Sequence, residues 1–213
     1  MPYNSAMTKI NTLIFDFGNV LVNLHEEEEL RAILEDLGKP ASGTMAEMIL
    51  MPGGSEVFWD VMRGKTTEAQ MWQMMADEWD IPFEKAKEVM QMIAAPNRPN
   101  LPLIKFIETL KGKYKIGVLS NAGDATLERL LKWYPYDTFV DHFVISAEVK
   151  MAKPDAEIYE LALQKLDAKA EESLFVDDLI ENIEAAERLG ITGIWHRDND
   201  ETIARLKDIL GED

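Results

Sequence analysis

The chain has 213 residues, of which 46% are hydrophobic and 29% are charged, with a formal net charge of −17 and no cysteine. This composition is typical of a soluble globular protein without disulfides, and no apolar run approaches the roughly 20 residues that span a membrane. The acidic balance would repel nucleic acids and anionic membranes, so neither is an expected partner. The first ten residues lack the pattern of a secretory signal, and we therefore expect a cytoplasmic protein.

Short apolar runs of strand length recur along the chain and alternate with helical patterns in its second half. The runs cover residues 12–17, 115–119, 142–146, 173–177 and 191–195. Between the last two runs, Ile183, Ala186 and Leu189 form a helical stripe that ends at Gly190, a residue suited to a helix C-cap. Such alternation predicts βαβ units, and hence a parallel sheet with helices on both faces.

The alternation is interrupted directly after the first predicted strand. Residues 24–98 are rich in Met, Trp, Glu and Lys, begin with a helical stripe that ends at Gly38, and are followed by a proline-rich connector at residues 95–102. The sequence therefore predicts a doubly wound, Rossmann-like α/β core built from residues 1–23 and 99–213. A small all-helical domain, residues 24–98, is inserted after the first strand of that core.

Polar side chains stand at or just beyond the ends of the predicted strands. In chain order they are Asp16, Ser120, Asn121, Lys153, Asp177 and Asp178. Ligands of doubly wound sheets bind beyond the carboxyl ends of the strands. Carboxylates suit Mg²⁺, whereas a hydroxyl group, an ammonium group and backbone amides suit a phosphate. The sequence thus predicts a site for Mg²⁺ together with a phosphate group.

Four sequence motifs in this order resemble those of the haloacid dehalogenase superfamily. They read FDFGNV around Asp16, VLSNA around Ser120, KMAKPDAEIY around Lys153, and FVDDLIENIEAAERLGI, which contains Asp177 and Asp178. The helical insertion resembles the cap domain of that superfamily. The start of the first motif and the acidic fourth motif are most similar to its bacterial sugar-phosphate phosphatases.

The resemblance implies a Mg²⁺-dependent phosphatase that hydrolyses a small phosphorylated metabolite, with a sugar phosphate as the expected substrate. Asp16 would be the nucleophile that forms an aspartyl-phosphate, and Lys153 would stabilise the transferring phosphate. The implied phosphate-binding residues are Gly18, Asn19, Ser120, Asn121 and Lys153. The implied metal ligands are Asp16, the backbone carbonyl of Gly18, Asp178 and Asp177, the last directly or through water. Asn182 or Glu181 would orient these ligands.

Gly18 departs from the common pattern of the superfamily. Most of its phosphatases carry a second Asp at this position, which protonates the leaving oxygen, whereas the sugar-phosphate phosphatases mentioned above share the glycine. Loss of general acid–base help costs about 10²- to 10⁴-fold in rate, which a good leaving group or another proton source can offset.

Two other functions stay open from the sequence. One is a metal-free 2-haloacid dehalogenase, a class that also lacks the second Asp but has no use for Asp177 and Asp178 as metal ligands. The other is a non-catalytic binding protein that keeps the fold. Outside the site, Phe58 or Trp59 is expected to reach over the substrate, and His196 and Arg197 are expected to be exposed residues of a connector.

Overall fold

The structure is a computed structural model that describes residues 9–39, 42–50, 54–94 and 98–212. The strands in these ranges are β1 (Thr12–Phe15), β2 (Val22–Asn23), β3 (Arg98–Pro99), β4 (Lys115–Ser120), β5 (His142–Ile145), β6 (Ser173–Asp177) and β7 (Thr192–Trp195). The helices are α1 (Glu27–Asp36), α2 (Thr44–Leu50), α3 (Glu56–Met62), α4 (Glu68–Glu78), α5 (Phe83–Ala94), α6 (Leu101–Leu110), α7 (Thr126–Trp133), α8 (Ser146–Val149), α9 (Ala156–Lys165), α10 (Ile180–Arg188) and α11 (Asn199–Leu210).

A five-stranded parallel sheet forms the core, in the order β5-β4-β1-β6-β7. The five strands correspond to the five apolar runs of the sequence, which confirms the predicted parallel α/β class. β1 lies at the centre, where Phe15 is in register with Val118 on one side and Val176 on the other. The residues that follow these three strands therefore emerge at the same edge of the sheet.

Helices cover both faces of the sheet because successive residues of each buried strand point to opposite sides. Leu13 and Phe15 pack in one apolar cluster with α6 and α11, whereas Ile14 packs in a second cluster with α9 and α10. All three side chains are at most 1% exposed. A strand buried on both faces has a continuous apolar sequence, which explains why the sequence predicts β1.

Helices α1 to α5 share an apolar cluster of their own, separate from the two clusters of the sheet. Its most buried members include Leu34, Met45 and Met75, each at most 1% exposed. The two connections to the sheet pair with each other, because β2 and β3 form a short antiparallel ribbon. Residues 95–97 of the predicted connector lie outside the described residues. We propose that residues 24–98 form a cap domain, as the sequence predicts.

His196 is buried, and the sequence-based expectation of an exposed connector was wrong for this residue. Its backbone N–H donates to the carbonyl of Asp177 at 2.8 Å and so extends the pairing of β6 with β7. Its ring nitrogen Nδ1 lies 2.7 Å from the hydroxyl of Thr202, because α11 folds back over the end of β7. Burial lowers the pKa of His196. Arg197 is exposed, as expected.

Within the described ranges, no helix is both long enough and apolar enough to cross a lipid bilayer.

Candidate active site

The sheet register brings Asp16 beside the end of β6. The backbone N–H of Asp16 donates to the carbonyl of Val176 at 2.9 Å, so Asp16 stands level with Asp177. A carboxyl oxygen from each of Asp16, Asp177 and Asp178 can be chosen so that all three lie within 4.8 Å of one another. The predicted clustering of these acids is therefore present in the structure.

Lys153 lies between two of the acids, almost completely buried at 1% exposure. Its Nζ is 2.9 Å from Asp16 Oδ1 and 2.6 Å from Asp177 Oδ2. The main chain of Lys153 is held by Asn121, whose amide donates to the carbonyl and accepts from the N–H of Lys153. Burial acts to lower the pKa of Lys153, but the attraction of Asp16 and Asp177 outweighs it and raises that pKa. The ammonium group is thus charged and fixed in place.

Asp177 and Asp178 have different surroundings. The carboxylate of Asp177 is fully buried and accepts hydrogen bonds from the backbone N–H of Leu179, from Asn182 and from Lys153. Asp178 is only partly buried, and its carboxylate accepts from the side chain of Asn19 at 3.0 Å. Asp178 therefore has more lone pairs left for a ligand, while Asp177 positions Lys153.

Asn182, not Glu181, is the residue of α10 that contacts the acids. The Asn182 amide lies 3.0 and 3.1 Å from the two carboxyl oxygens of Asp177, whereas Glu181 is exposed. Tyr159 holds the Asn182 backbone through a hydrogen bond from its hydroxyl to the Asn182 carbonyl. Asn182 thus fixes the carboxylate of Asp177, and its orienting role toward a metal remains a prediction.

The surroundings of the Asp16 carboxyl group disfavour its ionised form. Burial is the main cause that raises its pKa to about 7; Lys153 opposes this shift, and the negative charge of Asp177 adds to it. Burial likewise raises the pKa of Asp178. Oδ1 of Asp16 is buried, and among the described residues it has no partner in good hydrogen-bond geometry, although Lys153 Nζ is close.

These properties fit a hard divalent cation. The donor set consists of carboxylates, which Mg²⁺ prefers, and burial raises the pKa values of Asp16 and Asp178 although the Lys153 ammonium group acts to lower them. A cation bound by Asp16 and Asp178 would supply the missing positive charge.

The turn after β1 has its left-handed residue at Asn19, with φ of 52°, rather than at Gly18. The Asn19 side chain is engaged on both sides, because its amide donates to Asp178 and its oxygen accepts from the N–H of Leu24. A Cβ added at Gly18 would lie 3.2 Å from Leu24 Cδ1, so Leu24 stands over this position. Phosphate binding by Gly18 and Asn19 remains a prediction.

A cavity of about 290 Å³ lies between the sheet and the group of helices α1 to α5, which we call the helical module. Gly18, Ser120 and Asn121 line it on the sheet side, and Phe58 is among the residues that line it on the other side. Three of the five predicted phosphate-binding residues therefore face a partly open cavity, which could receive the remainder of a substrate.

An ion pair that the sequence did not reveal joins the two sides of this cavity. Glu68, at the start of α4, accepts from Arg129 Nη1 at 2.9 Å and from the hydroxyl of Thr126 at 2.9 Å, both on α7. The Glu68 N–H also donates to Asp124 Oδ1 at 2.9 Å. Because the partners are far apart in the chain, no local sequence pattern predicts this contact.

The comparison with family models settles the class of the protein. A model described as haloacid dehalogenase-like hydrolase matches residues 10–190. The chain belongs to the haloacid dehalogenase-like hydrolases. This confirms the resemblance drawn from the four motifs and the prediction of a hydrolase.

This haloacid dehalogenase-like hydrolase is similar to curated proteins with different names. A sesquiterpene phosphatase of Aspergillus oryzae is 27% identical, over 96% of this chain and 98% of the relative. A D-ribitol-5-phosphate phosphatase of Bacteroides thetaiotaomicron is 23% identical, over 85% of this chain and 89% of the relative.

Solved structures of the family share the fold. A predicted hydrolase of this family from Porphyromonas gingivalis is 23% identical, with a TM-score of 0.78, and the match covers 98% of this chain and 100% of that one. A family enzyme of Bacteroides thetaiotaomicron in complex with magnesium and inorganic phosphate is 21% identical, with a TM-score of 0.67 over 88% of this chain and 94% of that one.

Proposed function

We propose that the protein is a Mg²⁺-dependent phosphatase that hydrolyses a small phosphate monoester through Asp16. The observation that carries this proposal is the cluster of Asp16, Asp177 and Asp178 around the buried ammonium group of Lys153. The phosphatase names of the two curated relatives and the magnesium and phosphate in the Bacteroides structure support it.

In the first chemical step, a carboxyl oxygen of Asp16 attacks phosphorus. The Asp16 O–P bond forms as the ester P–O bond breaks, and the alkoxide that leaves with the electron pair of that bond takes up a proton to become the alcohol. Lys153, 2.9 Å from Asp16, places a positive charge where negative charge gathers on the transferring oxygens. The hydroxyl of Ser120, at the end of β4, would hold a phosphate oxygen.

In the second step, a water oxygen attacks the phosphorus of the aspartyl-phosphate. The Asp16 O–P bond breaks, Asp16 regains its carboxylate, and inorganic phosphate leaves with the water oxygen. Gly18 offers no carboxyl group to protonate the leaving alcohol or to activate the water. Solvent must therefore supply the first proton, which makes the rate depend on how readily the alcohol leaves.

Asp16 and Asp178 would hold the metal, together with the backbone carbonyl of Gly18, while Asp177 acts mainly by holding Lys153. Bound Mg²⁺ would supply positive charge that lets an ionised Asp16 approach an anionic phosphate. This matters here because the pKa of Asp16 is raised to about 7, so the acid alone is only partly ionised at neutral pH.

Mg²⁺ should raise the melting temperature more at pH 8 than at pH 5.5, since protons compete with the metal for Asp16 and Asp178. At a hundredfold excess over its Kd the stabilisation would be about 2.7 kcal/mol, or roughly 5–10 °C. Differential scanning fluorimetry measures it. Asp178→Asn should lose most of the shift, whereas the control Asp208→Asn, at an exposed carboxyl group on α11, should keep it. A shift that is equal at both pH values contradicts these ligands.

Release of inorganic phosphate tests the proposed function itself. We expect acetyl phosphate and a panel of phosphate monoesters to be hydrolysed with Mg²⁺ and to be spared when a chelator is added. Chelator-resistant halide release from 2-haloacids would favour a dehalogenase instead. Metal-dependent ligand binding without any turnover would favour a non-catalytic protein. The cluster of three carboxylates speaks against the dehalogenase, because that chemistry needs no cation.

The alcohol part of the substrate is less defined than the phosphate. The sequence predicted a sugar phosphate, and the relative named D-ribitol-5-phosphate phosphatase is in line with a polyol phosphate. The relative named sesquiterpene phosphatase points instead to an apolar alcohol. A cytoplasmic location and the lack of nucleic-acid or membrane partners remain predictions from the sequence.

A further inference from the structure

The cavity between the helical module and the sheet adjoins the proposed phosphate site. Its sheet side includes Gly18 and Ser120, and its opposite wall comes from α2, α3, α4 and α5. At about 290 Å³ it lies at the lower end of the volumes of small-ligand pockets. A monoester bound with its phosphate at Ser120 would extend its alcohol part into this space.

The walls of the cavity are mainly apolar. Methionine contributes Met48, Met62, Met71 and Met90. Ile49, Phe58 and Val61 extend the apolar surface, and Leu24 covers the end near Gly18. Methionine side chains are flexible and polarisable, so such walls adapt to aliphatic chains of varied shape.

Apart from Ser120, the polar side chains that line the cavity already have hydrogen-bond partners. Glu68, Arg129 and Thr126 form a closed set in which Arg129 donates to the other two and Thr126 donates to Glu68. Asn121 uses its amide oxygen and one amide N–H in hydrogen bonds to the backbone of Lys153.

A sugar would bring several hydroxyl groups into this space. Each hydroxyl would lose its hydrogen bonds to water and would have to displace an existing pair to regain them, and unpaired buried polar groups are costly. An apolar chain has no hydrogen bonds to water to lose, and its transfer from water into the cavity is favourable.

We propose that the preferred substrate is the phosphate monoester of an alkyl or alkenyl alcohol, whose chain occupies this cavity. The proposal rests on the proposed phosphatase function and names its substrate class. It differs from the sugar phosphate predicted from the sequence, because the residues of the wall come together only in the fold.

A series of straight-chain alkyl phosphates tests the proposal, since the leaving group changes little along the series. Each added methylene that enters the cavity should raise kcat/KM about fourfold, which corresponds to about 0.8 kcal/mol per buried CH₂. The gain should stop once the cavity is full. Geranyl and farnesyl monophosphate should exceed ribitol 5-phosphate, which is also the ester of a primary alcohol, with all lipids kept below the concentrations at which they form micelles.

Met90→Gln supplies the variant, with Met92→Gln as its matched control. Both residues lie on α5, but Met90 lines the cavity whereas Met92 is 48% exposed. Met90→Gln should lower kcat/KM for the longest accepted alkyl phosphate by about fivefold or more, because burying an amide in an apolar wall is unfavourable. The ratio of kcat/KM for that alkyl phosphate to kcat/KM for acetyl phosphate should fall in Met90→Gln and stay constant in Met92→Gln, and the melting temperature shows that each variant has folded.

Binding to the Asp16→Asn variant, measured by calorimetry with octyl phosphate and glucose 1-phosphate, separates this proposal from the proposed function. Tighter binding of octyl phosphate supports the apolar site even if no ester is turned over, a result that would defeat only the phosphatase. Hydrolysis of acetyl phosphate with a flat alkyl series, or with sugar phosphates preferred, overturns the substrate class and leaves the phosphatase standing. Equal losses in Met90→Gln and Met92→Gln would also overturn it.

Discussion

Asp16→Asn should abolish phosphate release while the protein stays folded. The amide cannot act as the nucleophile, and loss of a nucleophile from a concerted catalytic set costs several orders of magnitude, at least about 10³-fold in kcat. The measurement is release of inorganic phosphate from the best monoester at saturating Mg²⁺. Asp208→Asn, at an exposed carboxyl group far along the chain, is the matched control and should retain full activity.

The same variant makes a distinct prediction for stability. Lys153 keeps its contact with Asp177 at 2.6 Å, so the change in unfolding free energy should stay below the roughly 3–5 kcal/mol lost when a buried ion pair is broken outright. A variant with near-normal turnover would refute Asp16 as nucleophile. A variant that does not fold would refute the separation between catalysis and stability at this position.

The pH dependence of this stability difference follows from the raised pKa of Asp16. The pKa of Asp16 is raised from 3.8 to about 7, so in the metal-free protein the folded state binds the carboxyl proton more tightly than the unfolded state does. The stabilising contribution of the group is complete below pH about 4 and is lost as the pH rises through about 7. Relative to the wild type, Asp16→Asn should therefore gain unfolding free energy across this range and level off above it, as chemical denaturation at each pH can show.

Lys153→Met should damage both activity and stability. The substitution leaves the buried carboxylates of Asp16 and Asp177 facing each other without their cation, which costs about 3–5 kcal/mol of unfolding free energy. Activity should fall by at least about 100-fold, since a fixed positive charge at the transferring phosphate is lost. Denaturant titration and phosphate release measure the two effects. Lys150→Met, at an exposed lysine three residues earlier, should be neutral.

A double variant separates the two roles of Lys153. Lys153→Met combined with Asp177→Asn removes one of the unpaired charges and should recover part of the lost stability without recovering activity. If Lys153→Met alone were as stable as the wild type, the buried ion pairs of Lys153 would not contribute to the unfolding free energy as proposed. If the double variant regained activity, Lys153 would have only a structural role.

The strands of the core could be predicted from the sequence because parallel strands buried on both faces have continuous apolar sequences. The run at residues 12–17 overestimated β1, which ends at Phe15, because Asp16 and Phe17 already lead into the turn. The acids and Lys153 could be anticipated because strand ends in such sheets converge. The structure brings carboxyl oxygens of the three acids within 4.8 Å of one another and places Lys153 Nζ 2.9 Å from Asp16 Oδ1.

Other features depend on contacts that no local pattern encodes. The ion pair of Glu68 with Arg129 joins α4 to α7, and its members give no signal in their own segments. His196 becomes buried only because α11 returns over the end of β7. The apolar cavity likewise exists only when helices α2 to α5 meet the sheet, so the sequence favoured a sugar whereas the assembled walls favour an aliphatic chain.

The most direct test of the account is to trap the covalent intermediate. Enzyme mixed with Mg²⁺ and a monoester that carries radiolabelled phosphate is quenched in acid within one turnover, digested and mapped by peptide. The account predicts label on the peptide that contains Asp16, lost on treatment with hydroxylamine and absent from Asp16→Asn. Steady turnover with no label on the protein, or with label on another residue, would contradict it.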